Sequence, residues 1–148
     1  MEKLWLLPHI GALAAAYALA VPIGWDREKA DRSAGLRTFP LVAIAACGFV
    51  QATETLVKDN PEGVAQLVGG IITGIGFIGG GAILQQGASV RGTATAASLW
   101  ATGAVGVAVG LGVYDVALVI SAFTFLTLRY VKRHQPEDAS KDDVEPQS

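Results

Sequence analysis

A short segment between the first two apolar runs holds one of the few clusters of ionisable residues in the chain. Asp26, Arg27 and Glu28 end the first run, and Arg37 and Thr38 begin the next. Carboxylates and guanidinium groups at this density can pair with one another, dock a polar partner, or hold a lipid headgroup or an ion. The residues leave three interpretations open: a salt-bridged connector, a docking surface for a partner, and a lipid or ion site.

A further cationic residue, Arg91, lies in a second connector, residues 85–92. The topology derived below places both connectors on the same side of the membrane. Arg91 is therefore predicted either to pair with Asp26 or Glu28 at the membrane surface, or to bind an anion or a lipid headgroup. The predicted cytoplasmic functional surface consists of Asp26, Arg27, Glu28, Arg37, Thr38 and Arg91.

Glycines recur in the third apolar run, residues 64–84. They include two pairs separated by three residues, Gly70 with Gly74 and Gly76 with Gly80. In lipid, small residues let helix backbones approach closely, so this spacing favours helix packing. The alternative is a discontinuous helix whose backbone lines an ion path. The predicted packing residues are Gly70, Gly74, Gly76, Gly79, Gly80 and Gly81.

Few polar side chains fall within the apolar runs. Thr95 and Ser98, close to Trp100, give the fourth run a hydroxyl-bearing face suited to the inside of a bundle. Glu54 is the acid best placed for an intramembrane proton or cation site, although it lies one turn from a predicted helix end and can reach water. No nucleophile–base pair, zinc-type spacing, facing pair of central acids or global basic patch is apparent. The sequence therefore predicts no catalytic site, metal site, cofactor or nucleic-acid partner.

Membrane-spanning helices are the elements that must position these residues. The chain has 148 residues, of which 51% are hydrophobic and 16% charged, whereas soluble domains are about 25% charged. A span needs roughly 20 apolar residues. Five such spans are found in three runs and one longer tract: 4–25, 39–57, 64–84 and 93–131. We divide the tract at 110–115, where glycines and an aspartate favour a turn. We predict an all-α polytopic domain over 1–131 and a disordered acidic tail over 132–148.

The distribution of positive charge predicts the orientation. Five spans place nine of the eleven Lys and Arg residues on the side of the first loop and the tail. Short loops rich in Lys and Arg stay in the cytoplasm, so the C-terminus is predicted to be cytoplasmic and the N-terminus outside. An even number of spans would break this separation of charge.

Four sequence segments carry a family resemblance. They are Gly24-Trp-Asp-Arg-Glu28, Ala34-Gly-Leu-Arg-Thr38, Gly74-Ile-Gly-Phe-Ile-Gly-Gly-Gly-Ala-Ile-Leu84, and Val90-Arg-Gly with Thr95-Ala-Ala-Ser-Leu-Trp100. In these segments the chain resembles the MgtC/SapB family of bacterial inner-membrane proteins. It looks like a short form without the C-terminal ACT-like domain of longer members. Ala94 stands where the family usually has a polar residue.

The resemblance implies a non-catalytic protein of the bacterial inner membrane that serves adaptation to low magnesium or virulence. It also implies restraint of the F-type ATP synthase. Our leading hypothesis is a regulator that contacts the lipid bilayer, a membrane complex such as the ATP synthase, and a second copy of the chain as a homodimer. The rival hypothesis is a transporter or channel for Mg²⁺, another cation or a small solute.

Overall fold

The structure is a computed structural model that describes residues 3–29, 34–57, 59–86 and 89–131. The predicted tail, residues 132–148, lies outside the described residues. Within them, the prediction of an all-α fold with five helices is confirmed, and four helices are long and apolar enough to cross a membrane. The elements are α1 (Lys3–Lys29), α2 (Thr38–Val57), α3 (Pro61–Gly81), β1 (Leu84–Gln86), β2 (Ser89–Arg91), α4 (Thr93–Gly110) and α5 (Tyr114–Tyr130).

Helix α3 begins and ends three residues earlier than predicted. The Asn60 side chain accepts a hydrogen bond from the Gly63 N–H at 3.0 Å, and Pro61 occupies the first turn, where its missing N–H costs nothing. At the other end the chain leaves the helix after Gly81 and forms an antiparallel hairpin of β1 and β2. The hairpin strands lie in and next to the connector predicted over residues 85–92.

The division of the last apolar tract is confirmed. Helix α4 ends at Gly110 and α5 begins at Tyr114, with Gly112 between them at φ 78°. This left-handed conformation favours glycine, since it has no Cβ. The 17 residues of α5 span about 26 Å, which is near the lower limit for a membrane-spanning helix.

Helix α4 lies at the centre of the bundle and contacts each of the other four helices. Half of its apolar segment is buried, against 17% of that of α3. Glycines allow its close approach to α2: a Cβ added at Gly106 would overlap the Ala43 carbonyl oxygen, and one at Gly110 would lie 2.7 Å from the Val50 Cβ. Helices α2 and α4 therefore run parallel, with their backbones in near contact.

Because α2 and α4 start at the same end of the bundle, the α1–α2 turn and the β1–β2 hairpin lie at that end. We call it the hairpin end. Ser121 of α5 ties this helix to α1 by donating a hydrogen bond to the Leu19 carbonyl oxygen at 2.7 Å. The residues of the predicted functional surface flank the α1–α2 turn or lie on the hairpin, so they share the hairpin end.

Candidate functional site

The α1–α2 turn is held by a carboxylate. Glu28, near the end of α1, accepts a hydrogen bond from the backbone N–H of Leu36 at 2.8 Å. Gly24 allows the turn to pack closely, because a Cβ there would lie 3.3 Å from both the Gly35 carbonyl oxygen and the Leu36 Cα. Glu28 therefore fixes the backbone immediately before α2 begins.

Removing this hydrogen bond should lower stability measurably. Glu28→Ala is expected to reduce the free energy of unfolding by about 1 kcal/mol, because it leaves the Leu36 N–H without its charged acceptor. Thermal unfolding of the purified protein in detergent measures the change. Glu54→Ala, which removes an exposed acid from α2, is the control. Equal losses in the two variants would contradict the role assigned to Glu28.

Asp26 and Arg27 form a buried ion pair rather than an exposed surface. Their side chains are each 10% exposed, and the Arg27 guanidinium donates to the Asp26 carboxylate at 2.6 Å. Arg27 continues the inward face of α1, four residues after the fully buried Ile23. The Arg27 Nε is also buried and has no hydrogen-bond partner among the described residues. The expectation that these two residues lie on a docking surface is therefore wrong for Arg27, which helix packing buries.

The predicted pairing of Arg91 with Asp26 or Glu28 does not form in the described part of the chain. Asp26 binds Arg27, and Glu28 binds the backbone of Leu36. Arg91 is exposed on the second strand of the hairpin. Both carboxylates therefore already bind groups of the α1–α2 region, and the Arg91 side chain is exposed.

Arg37 is another exposed cation at the hairpin end. Together with Thr38 it borders a groove of about 720 Å³ between α2 and α3, which we call the α2–α3 groove. The rest of the groove is lined by Leu41, Val42, Ala45, Ala46, Phe49, Gln66, Leu67, Gly70, Ile71, Gly74, Ile75 and Ile78. Of the six predicted surface residues, Glu28 thus holds the α1–α2 turn, and Asp26 and Arg27 form a buried ion pair. The other three are exposed or half-buried: Arg37, Thr38 and Arg91.

The hydroxyl-bearing face of α4 points into the bundle. Thr95 and Ser98 are buried, and the Ser98 hydroxyl donates to the Thr95 carbonyl oxygen at 2.9 Å. Thr102, also buried, donates to the Ser98 carbonyl oxygen at 2.8 Å. The hydroxyls of Ser98 and Thr102 are thus satisfied by the backbone of their own helix. Trp100 is about half exposed and borders a smaller apolar cavity of about 240 Å³.

Glu54 is exposed, three residues before the end of α2. A buried proton or cation site requires a carboxylate that the protein shields, and Glu54 is not shielded. Among the residues that the structure describes, no group of three or more His, Cys, Asp or Glu side chains is close enough to hold a metal ion.

The predicted packing glycines of α3 behave differently from one another. A Cβ at Gly79 would lie 3.3 Å from the Ala96 carbonyl oxygen, so Gly79 packs against α4. At the other five positions an added Cβ would meet nothing within 4 Å in the described chain: Gly70, Gly74, Gly76, Gly80 and Gly81. Packing of these five glycines against a helix of another molecule stays a prediction.

Sequence reasoning placed α4 inside the bundle but did not identify its glycines as the points where other helices approach most closely. Gly103, Gly106 and Gly110 of α4 are spaced by three and four residues, which places them along one side of the helix. A Cβ at Gly103 would overlap the Ile75 side chain of α3. The signal was present in the sequence, but the denser glycines of the third run drew the packing prediction there.

The sequence of this chain is similar to those of known proteins. Residues 13–136 match the MgtC family. The chain belongs to the MgtC family. It is 42% identical over 117 residues to "Protein MgtC" of Salmonella typhimurium (strain LT2), and 42% identical over 118 residues to "Protein MgtC" of Brucella abortus (strain 2308). Each match covers 79% of this chain and 49% of the relative, so the chain spans about half the length of these MgtC proteins. No solved structure was found to match it.

Membership of the MgtC family confirms the resemblance given by the four sequence segments. With four helices long and apolar enough to span a bilayer, this MgtC-family chain is a multi-pass membrane protein. The matched residues include the α1–α2 turn, the α2–α3 groove and the hairpin.

Proposed function

We propose that this MgtC-family protein is a non-catalytic regulator of the bacterial inner membrane, active in magnesium limitation or virulence adaptation. It acts by contact with another membrane complex, such as the F-type ATP synthase. The proposed orientation places the C-terminus and the hairpin end in the cytoplasm, since Arg37 and Arg91 then follow the positive-inside rule. The observation that supports this function is the exposed glycine face of α3.

This α3 glycine face consists of Gly69, Gly76 and Gly80. Their spacing of seven and four residues places them on one side of the helix, turned away from the α2–α3 groove. All three are exposed, and a Cβ at any of them would meet nothing within 4 Å in the described chain. A bare helix backbone facing lipid lets another transmembrane helix approach closely.

Arg37 and Arg91 supply a second element of recognition at the hairpin end. Both guanidinium groups are exposed, and they can pair with acidic groups of a partner where it emerges from the membrane. Apolar backbone contact at membrane depth and cationic contact at the surface together support a binding partner that is itself a membrane protein.

The proposal is tested by association with the F-type ATP synthase. The purified chain is expected to bind the synthase in mixed micelles and to lower ATP-driven proton pumping in inverted membrane vesicles. A Gly76→Leu/Gly80→Leu variant should bind about tenfold more weakly, which corresponds to about 1.4 kcal/mol, because leucine side chains keep the partner backbone at a distance. Gly11→Leu is the matched control, since Gly11 is an exposed helical glycine with open space around it.

Two outcomes would overturn the proposal. One is equal binding by the α3 variant and the Gly11→Leu control. The other is saturable Mg²⁺ flux into liposomes that contain the wild-type chain alone, without any effect on the synthase, which would replace regulation by transport.

A further inference from the structure

We propose that the α2–α3 groove holds one anionic phospholipid of the bilayer, with its phosphate at Arg37 and an acyl chain lying between α2 and α3. This site is separate from the α3 glycine face on which the proposed function rests. Its occupant follows from the length of the groove, the chemistry of its walls and the position of its charge.

The length of the groove matches one leaflet of a membrane. On α2 the lining residues run from Thr38 to Phe49, and on α3 from Gln66 to Ile78. At 1.5 Å per residue these stretches are about 16 and 18 Å long. One leaflet contributes half of a hydrocarbon core of about 30 Å. A lipid with its headgroup at the end of the groove would therefore extend its chain along the whole of it.

The walls of the groove are apolar along most of their length. Aliphatic side chains and Phe49 line α2, while Gly70 and Gly74 leave the α3 side flat. Leu41 and Phe49 are both more than half exposed, so these walls are open to the surroundings. In a bilayer, a depression of this kind is filled by an acyl chain at no cost in hydration.

Charge is confined to one end of the groove. Arg37 and Thr38 lie there, at the start of α2, and the uncharged Gln66 lies at the other end. The described lining residues include no carboxylate. Arg37 is exposed, and the N-terminus of α2 adds a partial positive charge beside it. A cation at the mouth of an apolar groove is complementary to an anionic amphiphile, and it discriminates against a zwitterionic headgroup.

Lipid binding can be measured by native mass spectrometry of the purified chain. After delipidation, the protein is titrated with phosphatidylglycerol or with phosphatidylethanolamine of the same acyl chains. We expect one phosphatidylglycerol to bind with clear preference. Arg37→Ala should weaken that binding about fivefold, the equivalent of about 1 kcal/mol for one arginine near a phosphate. Arg37→Lys should keep most of the preference, because the charge remains.

Matched controls separate the groove from general effects. Arg91→Ala removes another exposed arginine at the hairpin end and should leave binding unchanged. Gly74→Leu projects a side chain into the groove and should weaken binding, whereas Gly76→Leu adds the same side chain to the same helix outside the groove and should not. Gel filtration and circular dichroism confirm that each variant is folded.

The result that would overturn the proposal is equal loss of phosphatidylglycerol in the Arg37→Ala and Arg91→Ala variants. It would also be overturned if Gly74→Leu converted a dimer into a monomer while lipid binding persisted. In that case the occupant of the groove would be a helix of a second copy of the chain.

Discussion

Gly106→Ala is expected to lower the free energy of unfolding by about 3 kcal/mol, at the upper end of the cost of overpacking a core. The added methyl group would overlap the Ala43 carbonyl oxygen and lie 2.9 Å from the Ala46 Cβ. Because these atoms belong to the backbone and the first side-chain carbon of α2, no rotamer change can relieve the overlap. The helices must separate, which also loosens the contacts of α4 with the rest of the bundle.

Gly76→Ala is the matched control for this prediction. It makes the same substitution in a helix at a position where the added methyl group meets nothing within 4 Å, and it should stabilise the helix by up to about 1 kcal/mol. Thermal unfolding in detergent and the amount of folded protein in the membrane measure both variants. A Gly106→Ala protein as stable as Gly76→Ala would contradict the close approach of α2 and α4.

Asp26→Ala is expected to cost about 3–5 kcal/mol, because it leaves the buried Arg27 guanidinium without its carboxylate. Breaking one half of a buried ion pair is more harmful than removing the pair. A double variant, Asp26→Ala/Arg27→Met, should therefore be more stable than Asp26→Ala alone. Chemical denaturation in mixed micelles measures the three proteins.

Arg91→Ala is the control for the buried pair, since it removes an exposed arginine from the same end of the bundle. Its stability should stay within about 0.5 kcal/mol of the wild type. If Asp26→Ala were no more harmful than Arg91→Ala, the Asp26–Arg27 pair would not be buried within the helix bundle. If the double variant were less stable than Asp26→Ala, the cost of the unpaired arginine would not explain the loss.

The positions and lengths of the apolar runs, with the turn signal at 110–115, determined that this is a helical membrane protein with five helices. Runs of about 20 apolar residues satisfy their backbone hydrogen bonds in a bilayer only as helices or in closed barrels. The turn between the last two helices followed from the ability of Gly112 to adopt a positive φ without strain. The shift of α3 to Pro61–Gly81 was decided by the Asn60 cap and by the β1–β2 hairpin. These local contacts are weaker signals than hydropathy.

The tertiary structure decided which side chains face inward. Arg27 looked like part of an exposed cluster, but four-residue spacing from Ile23 carried it into the bundle. Glycines of α3 looked like packing residues, yet α4 occupies the centre and its own Gly106 meets α2, while Gly76 faces open space. The sequence determines that a residue is small or charged, because that is a property of the residue. Whether a neighbour lies beside it depends on how distant segments pack, since the apolar surface of every helix is equally compatible with lipid and with another helix.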